Sequence, residues 1–553
     1  MSAVRRADVG WSLVLLLSLF AVAPLAAPGF FLTAHDATIG AYFLYQFHQG
    51  IADGALYPRW AMDWTYGYGY PLFIVMAPLA WYVAEAFHLL GAGMVPALKM
   101  AYALAFVASG LSMYLLGREL FGRAGGLVSA ALYVYAPYHV ADIYVRADLA
   151  EFAAFAFFPA ILWAILRLSR AEQGAEVTRF TILGALLYGG LILTHITMAM
   201  LFTPVAALYA VFVAESEKRK AGRVFAAIAV AAAYLLPAVV EQHYIRAEQF
   251  TRDFFGYQNH YVYPFQLLSP FWGYGYAAVG PADEMSFQLG VVAVVLALVS
   301  LWALPAMEQQ VRRQAIYFVL VTGVLIFAML SASQPLWDLL RPVVAFIQFP
   351  WRLLSLTTVS LALVGGAMVT AGAAQRPAAS TLILLIVLAS YPYLVPQYTD
   401  SEVSLPRMIQ FQLDTKEMLG DTRWAAEWPD GSPMVAEYLA GKPVTRAIAD
   451  DSRAQIGVVH RGGASLEVRV VTPVQTDVLF HIRYYPGWRA YMDGRLVETA
   501  IRPPQGLMVV TVPAGEHTVR LRFEDTLLRL VAKLISLMSF MTALVVLAWA
   551  NRR

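Results

Sequence analysis

The stretch WSLVLLLSLFAVAPLAAPGFF, residues 11–31, is long and apolar enough to cross the ~30 Å hydrocarbon layer of a membrane. It follows MSAVRR and would pass for a signal peptide, but further apolar runs of similar length follow it, so we interpret it as a retained anchor. The 553 residues are 59% hydrophobic and only 14% charged, with a mean hydropathy of +0.59. The sequence therefore predicts a polytopic α-helical membrane protein.

The distribution of Lys and Arg predicts how the chain crosses the membrane. Later spans are predicted near residues 95–117, 124–140, 150–168, 180–196, 198–214, 222–240, 286–306, 314–332, 352–374, 378–396 and 528–550. With Arg5 and Arg6 inside, the other basic clusters also fall on the cytoplasmic side: Arg118 with Arg123, Arg167 with Arg170 and Arg179, Lys218 with Arg219, Lys220 and Arg223, Arg312 with Arg313, Arg376, Arg552 and Arg553. Both termini are then cytoplasmic.

This orientation requires that the apolar stretch 71–90, which contains Pro71 and Pro78, makes no net crossing. The prediction is about twelve spans, or about thirteen if the stretch crosses. The transmembrane domain covers residues 1–396, with external loops at 32–94, 138–152, 241–285 and 333–350. Residues 397–527 form an extracytoplasmic domain, in which alternating apolar and polar residues predict a β-sandwich from about 440 to 525. Residues 528–553 form the final transmembrane helix.

Composition also excludes several functions. The formal net charge of +2 gives no basis for binding nucleic acid, and the basic residues are explained as topology signals. The chain has no cysteine, which excludes disulfides, catalysis by a thiol nucleophile and cysteine-ligated metal sites.

An acid stands where the chain leaves the first span. Asp36 opens the segment HDATIGAYFLYQFHQGIADGALYPRWAMDWTYGYGYP, residues 35–71. A carboxylate at this depth is costly to maintain, and it would be a simple base for a hydroxyl acceptor, so Asp36 is the first catalytic candidate. The alternative is that Asp36 caps a short interfacial helix. His35 either orients this carboxylate or is a hydrogen-bonded interfacial residue.

A second group of charges lies in the loop 138–152. Asp148 and Glu151 are three residues apart, so on a helix they share one face near the outer end of the span that begins at 150. Arg146 precedes them. These three residues are a second group of candidate site residues. The alternative is an ion pair that stabilises the start of a helix.

A phosphate group at the outer face would require cations, and the planar fork of arginine suits it. The candidates are Arg59, Arg146, Arg246, Arg252 and Arg352. Arg352 would equally anchor its helix by snorkelling. His195, beside Thr194 at a tight external turn, is a further candidate for substrate binding or a turn histidine satisfied by its neighbours.

The metal question stays open from the sequence, because no H-x-x-x-H or D-x-D cluster occurs in the outer loops. A site for Mg²⁺ or Mn²⁺ would require Asp36 to meet Asp148 or Glu151 in space.

Several strings in the chain resemble a known family. They are YPRW, GYGYPLF, GRELFGRAGGLVSAALYVYAPYHV, RADLAEF, LTH and FPWR in the membrane part, and YYPGWRAYMDGRLV and VPAGEHTVRLRFEDT near the C-terminus. The chain resembles the bacterial multi-pass proteins labelled 6-pyruvoyl-tetrahydropterin synthase-related, which are similar to GT-C superfamily glycosyltransferases. Nothing in it resembles a soluble zinc-dependent pterin enzyme.

The resemblance implies a GT-C-like fold in the bacterial inner membrane, with the active site and β-domain on the extracytoplasmic side. It implies that a polyprenyl-phosphate-linked sugar is the donor and that a cell-envelope glycan, lipid or protein is the acceptor. By this resemblance, Asp36 matches the catalytic acid that GT-C enzymes carry in the first external loop. Glu151 or Asp148 matches a second catalytic acid. The alternatives are a non-catalytic envelope assembly protein and a lipid or glycan transporter or flippase.

Overall fold

The computed structural model describes residues 8–31, 33–172, 174–214, 229–246, 251, 253–371, 375–399, 402–416 and 421–550. Arg252 and the predicted cytoplasmic cations Arg5, Arg6, Lys218, Arg219, Lys220, Arg223, Arg552 and Arg553 lie outside these ranges.

Eight helices in these ranges are long and apolar enough to cross a membrane: Val9–Ala26, Met94–Val134, Leu149–Arg170, Ala175–Thr194, Ile196–Val213, Gln309–Met329, Pro350–Met368 and Leu527–Ala550. Two shorter apolar helices, Val291–Ala306 and Pro377–Tyr393, occupy the predicted spans 286–306 and 378–396. The predicted span 222–240 is described only in part, as the helix Ala232–Val240. The fold class is thus that of a polytopic α-helical protein.

The helix Met94–Val134 contains two predicted spans, because it folds back on itself at Gly122. This glycine has φ +72°, a conformation that L side chains rarely adopt. The two halves then touch: a Cβ added to Gly126 would lie 2.7 Å from the backbone nitrogen of Arg118, and one added to Gly117 would lie 3.0 Å from the Cβ of Ser129. Helices can approach this closely only where glycine removes the side chain. The separate predictions 95–117 and 124–140 describe this hairpin.

The apolar stretch 71–90 is divided into the helices Leu72–Val75 and Leu79–Leu89. The longer of these has 11 residues, about 16 Å at 1.5 Å per residue, which is shorter than a membrane is thick. This geometry agrees with the prediction that the stretch makes no net crossing. The other α-helices in the described ranges are Ala37–Ala52, Pro137–Ala141, Pro264–Leu268, Gln334–Leu339, Arg341–Val344, Leu405–Thr415 and Val435–Leu439.

The β domain contains nine strands between residues 447 and 523. They are β1 Ala447–Ala449, β2 Gln455–Arg461, β3 Ser465–Thr472, β4 Thr476–Arg483, β5 Trp488–Met492, β6 Arg495–Val497, β7 Ala500–Arg502, β8 Leu507–Val512 and β9 Gly515–Phe523. They form two antiparallel sheets, β1-β4-β8-β7 and β2-β3-β9-β5-β6. Alternate side chains of both sheets, including Val468, Phe480, Val510 and Leu521, belong to one buried apolar cluster.

Three buried ion pairs fix the segments around the β domain. Asp63, in the segment 32–70, pairs at 2.8 Å with Arg446, which directly precedes β1. Asp421 pairs with Arg483 on β4, and Glu241 pairs with Arg529 of the terminal helix at 2.9 Å. Because a buried charge that loses its partner is strongly destabilising, the first pair holds the β domain against the segment 32–70, and the Glu241–Arg529 pair holds the end of helix Ala232–Val240 against the terminal helix.

Charges also gather where the first membrane helix begins. Asp8 pairs with Arg118 and Arg123 at 3.0 Å each. Glu119 pairs with Arg170 at 2.9 Å and with Arg167 at 3.4 Å. The basic residues predicted to face the cytoplasm thus meet near the start of helix Val9–Val22, one helix length from Asp36.

Candidate active site

The segment 137–154 supplies most of a buried charge cluster. Helix Pro137–Ala141 continues into a π-helical turn, Asp142–Arg146, and a new helix runs from Leu149 to Ala154. Single π turns are rare and frequently occur at functional sites. Asp148 caps the second helix, because its Oδ1 accepts the backbone N–H of Glu151 at 3.0 Å. Asp148 and Glu151 therefore face one side, as their spacing indicated.

Glu151 connects two arginines that are far apart in sequence. Its Oε1 accepts the Tyr138 hydroxyl at 2.7 Å and lies 2.9 Å from Arg146 Nη1, and its Oε2 accepts Arg352 Nε at 3.0 Å. The Glu151 side chain is 0% exposed. Both carboxylate oxygens are thus occupied within the protein. This arrangement suits a residue that positions Arg146 and Arg352 better than one that takes up a proton.

Asp148 lies beside this bridge and is more accessible, with its side chain 15% exposed. Its Oδ2 is 3.5 Å from Arg146 Nη2, 3.9 Å from Arg352 Nη2 and 3.9 Å from His195 Nε2. Burial acts to raise the pKa of Asp148, but His195 and the two arginines outweigh it, so the pKa lies below its usual value. Asp148 is therefore ionised at neutral pH.

Two members of the cluster, Asp142 and Tyr138, were not singled out in the sequence. Arg146 donates to Asp142, four residues earlier, and Arg146 Nη1 also donates to the Tyr138 hydroxyl at 3.2 Å. The i,i+4 spacing of Asp142 and Arg146 was a usable signal for this pair. Tyr138 carried no comparable signal, since its partner Glu151 lies on a different helix.

Asp36 meets this cluster through its backbone. The N–H of Asp36 donates to the carbonyl of Arg146 at 2.7 Å, and the N–H of His35 donates to the carbonyl of Val145 at 3.2 Å. Asp36 stands immediately before helix Ala37–Ala52, but its side chain makes no capping hydrogen bond there. Tyr102 interacts electrostatically with Asp36, Asp142 and Asp148, so these three carboxylates share one neighbourhood.

His35 is covered by Gly275 and Tyr276 of the loop 241–285. Its Nε2 lies 2.8 Å from the Gly275 carbonyl, and its ring stacks on Tyr276 with 4.3 Å between centroids. Burial lowers the pKa of His35 to about 4, and the positive charge of Arg146 acts in the same direction, so the ring is neutral at pH 7.

His195 and Arg352 combine structural and site contacts. His195 is extended between two helices, and its Nδ1 accepts the N–H of Met198 at 3.2 Å, as a turn residue would, while its other nitrogen faces Asp148. Arg352 is buried and lies over the Phe349 ring at 5.2 Å, with Nη1 donating to the Ile347 carbonyl at 3.2 Å. Arg352 thus points at the acids and does not snorkel.

Two predicted phosphate-binding arginines lie apart from this cluster. Arg59 is buried, donates to the Ala233 carbonyl at 3.0 Å and lies 3.6 Å from Asp525. The Arg246 backbone N–H donates to the Asp421 carbonyl at 2.9 Å. Both residues contact the junction with the β domain, so the structure does not bring them together with Arg146 and Arg352.

The oxygens of Asp148 and Glu151 and a nitrogen of His195 lie within 4.8 Å of one another, a donor set that divalent metals accept. The sequence had suggested Asp36 in place of His195. A metal fits poorly here, because both carboxylates already lie against guanidinium groups and Glu151 has both oxygens in hydrogen bonds. The cluster is best described as a network of arginines and acids.

No protein family and no curated protein sequence matches the chain. Among solved structures, it is similar to arabinofuranosyltransferase AftD from Mycobacteria, with a TM-score of 0.48 and 14% identity over 95% of this chain and 40% of that chain. An R1389S mutant of the same protein gives a TM-score of 0.46 and 15% identity over 75% of this chain and 30% of that chain. The chain spans less than half of the length of AftD.

Proposed function

We propose that this protein transfers a sugar from a polyprenyl-phosphate carrier to a hydroxyl of an extracytoplasmic cell-envelope acceptor. The observation that carries the proposal is the contact between the first external loop and the loop 138–152. The backbone of Asp36 is hydrogen-bonded to Arg146, and Arg146 and Arg352 share Glu151. An accessible acid, a second acid and two arginines are thereby assembled at one place.

Asp36 is the proposed general base. Two observations support this role: the Asp36 backbone is hydrogen-bonded to Arg146, and its half-buried side chain makes no helix-capping hydrogen bond. In the reaction, the acceptor oxygen forms a bond to the anomeric carbon while the bond from that carbon to the phosphate oxygen breaks. The acceptor proton passes to Asp36, and the electron pair of the broken bond leaves with the polyprenyl phosphate.

The leaving phosphate requires positive charge, and Arg352 is the arginine best placed to supply it. Its Nη2 lies 3.9 Å from Asp148 Oδ2, beyond hydrogen-bond distance, so this donor can turn to a phosphate oxygen. Arg146 is held more tightly by three acids. Glu151 positions both guanidinium groups, and Asp148, with His195 beside it, limits their net charge before the substrate arrives.

The proposed orientation puts this site outside the cell and both termini in the cytoplasm. It is supported by the meeting of Arg118, Arg123 and Asp8 near the start of the first helix, while Asp36 follows the end of that helix. The donor would then reach the site from the outer leaflet, as a lipid-linked substrate.

The direct test is sugar transfer by the purified full-length chain in lipid vesicles. Radiolabelled polyprenyl-phosphate pentoses and hexoses are supplied with an extract of envelope glycans. We expect Asp36→Asn to lower the transfer rate about 10²- to 10⁴-fold, the usual contribution of a general base. Asp430→Asn is the matched control, since Asp430 is an exposed acid outside the site. A flippase would move the labelled lipid between leaflets without any transfer, and an assembly protein would do neither.

A further inference from the structure

A cleft lies between the segment 32–70 and the β domain. It is open to solvent and has a volume of about 380 Å³, within the range of small-molecule sites. Its walls come from helix Ala37–Ala52, the segment 403–406, the segment 438–444 and the end of strand β2. The side chains that the argument uses are Tyr45, Ser404, Tyr438, Lys442 and Arg461.

The lining of this cleft is positively charged. Lys442 and Arg461 both line it, and among the described residues that do so there is no Asp or Glu. Arg461 uses only part of its hydrogen-bonding capacity within the protein. One of its nitrogens, Nη2, lies 2.6 Å from Asp63 Oδ1, and the side chain remains 30% exposed. The remaining N–H groups of its fork can therefore donate into the cleft.

The buried group beneath the cleft does not neutralise this charge. Asp63 accepts from Arg446 at 2.8 Å as well as from Arg461, so one carboxylate faces two guanidinium groups. This group carries one excess positive charge, and Arg461 is its more exposed arginine. Tyr45 adds a hydroxyl whose oxygen accepts from Gln49 at 2.7 Å, which leaves its proton to donate to a ligand.

One helix connects the cleft to the candidate active site. Asp36 precedes helix Ala37–Ala52, and Tyr45 lies nine residues further along. At 1.5 Å per residue and 3.6 residues per turn, the two residues are about 14 Å apart along the helix axis and about half a turn apart around it. A ligand that spans both places must therefore be extended and must pass around the helix, as a chain of several sugar units can.

We propose that this cleft binds an anionic saccharide unit of the acceptor, bearing a carboxylate or a phosphate, while a hydroxyl further along the same chain reaches Asp36. The inference rests on the proposed function and adds the chemical class of the acceptor. Arg461 and Lys442 pair with the anion, and Tyr45 and Ser404 donate to sugar oxygens.

The test is equilibrium binding to the purified full-length protein in detergent micelles. Trigalacturonate probes for a carboxylate, mannose 6-phosphate for a phosphate, and galactotriose is the neutral comparison. At least one anionic probe is expected to bind about tenfold more tightly than galactotriose. Lys442→Gln should weaken that binding about fivefold to tenfold, and Tyr45→Phe should weaken it less. Lys416→Gln, an exposed lysine outside the cleft, should leave it unchanged.

Preference for trigalacturonate or for mannose 6-phosphate identifies the anion, and either supports the proposal. Equal binding of galactotriose and both anions, or an unchanged affinity in Lys442→Gln, would overturn it. Asp36→Asn should bind the anionic probe as the native chain does. If the native chain bound the anionic probe but transferred no sugar, the proposed function alone would fail, and transfer to an envelope acceptor without anion binding would sink this inference alone.

Discussion

Glu151→Gln is the perturbation that examines the arginine network most closely. The change preserves the shape of the side chain but leaves one oxygen where there were two. That oxygen can serve either Tyr138 and Arg146 or Arg352, which Glu151 now contacts at 2.7, 2.9 and 3.0 Å respectively. The amide nitrogen that replaces the second oxygen would face a hydrogen-bond donor and could not accept from it.

The expected loss follows from which charge is left alone. Removing one partner of a buried ion pair costs about 3–5 kcal/mol. Arg146 retains Asp142 and Asp148 after the change, whereas the nearest remaining carboxylate oxygen to Arg352 is 3.9 Å away. One arginine is thus uncompensated, so we expect the free energy of unfolding to fall by about 3 kcal/mol, at the lower end of that range.

Glu119→Gln is a matched control within the same chain. Glu119 also bridges two arginines, Arg167 and Arg170, but its side chain is 25% exposed and those of its partners are 34% and 46% exposed. Exposed pairs are worth about 0–1 kcal/mol, so this variant should be nearly as stable as the native chain. The assay is unfolding by SDS in mixed micelles, followed by circular dichroism.

A double-mutant cycle with Arg352→Gln separates the pair from its surroundings. If Glu151 and Arg352 interact as described, the two single changes should not add, and the coupling free energy should be about 1.5–3 kcal/mol. Equal stability losses in Glu151→Gln and Glu119→Gln, or additive effects in the cycle, would refute this reasoning.

Two further predictions concern other parts of the chain. Asp63→Asn should weaken the contacts of the segment 32–70 with Arg446 and Arg461 and lower the free energy of unfolding by about 3 kcal/mol. Trypsin should then cleave the variant faster than the native chain between residues 400 and 440. Unchanged cleavage would contradict the role given to this ion pair. Because the pKa of His35 falls from 6.5 to about 4 on folding, protonation opposes its native contacts as the pH drops from 6.5 through 4. Amide exchange at Gly275 and Tyr276, corrected for the intrinsic rate, should rise over that interval and should be flat in His35→Phe; the same rise in that variant would assign the effect to another group.

The fold class could be predicted from the sequence because its signals are local. The length and composition of the apolar runs indicated the spans, and alternation of apolar and polar residues indicated the strands between 447 and 523. The spacing of Asp148 and Glu151 placed both on one helix face, and the structure has Asp148 capping that helix.

The assembly of the site could not be predicted in the same way, because its contacts are distant in sequence. Glu151 and Arg352 are 201 residues apart, and no periodic pattern connects them. Arg59 and Arg246 satisfied the same sequence criterion as Arg352, an arginine predicted at the outer face, yet they contact the junction with the β domain. Packing between distant helices decides which arginine meets the acids.

The central claim is that Asp36 takes the acceptor proton in a sugar transfer at the outer face. The most direct measurement is the single-turnover rate of transfer from a radiolabelled polyprenyl-phosphate sugar by native and Asp36→Asn protein in vesicles, with stability checked in parallel. A loss of about 10²-fold or more at unchanged stability is the predicted result. A native transfer rate in Asp36→Asn would contradict the claim.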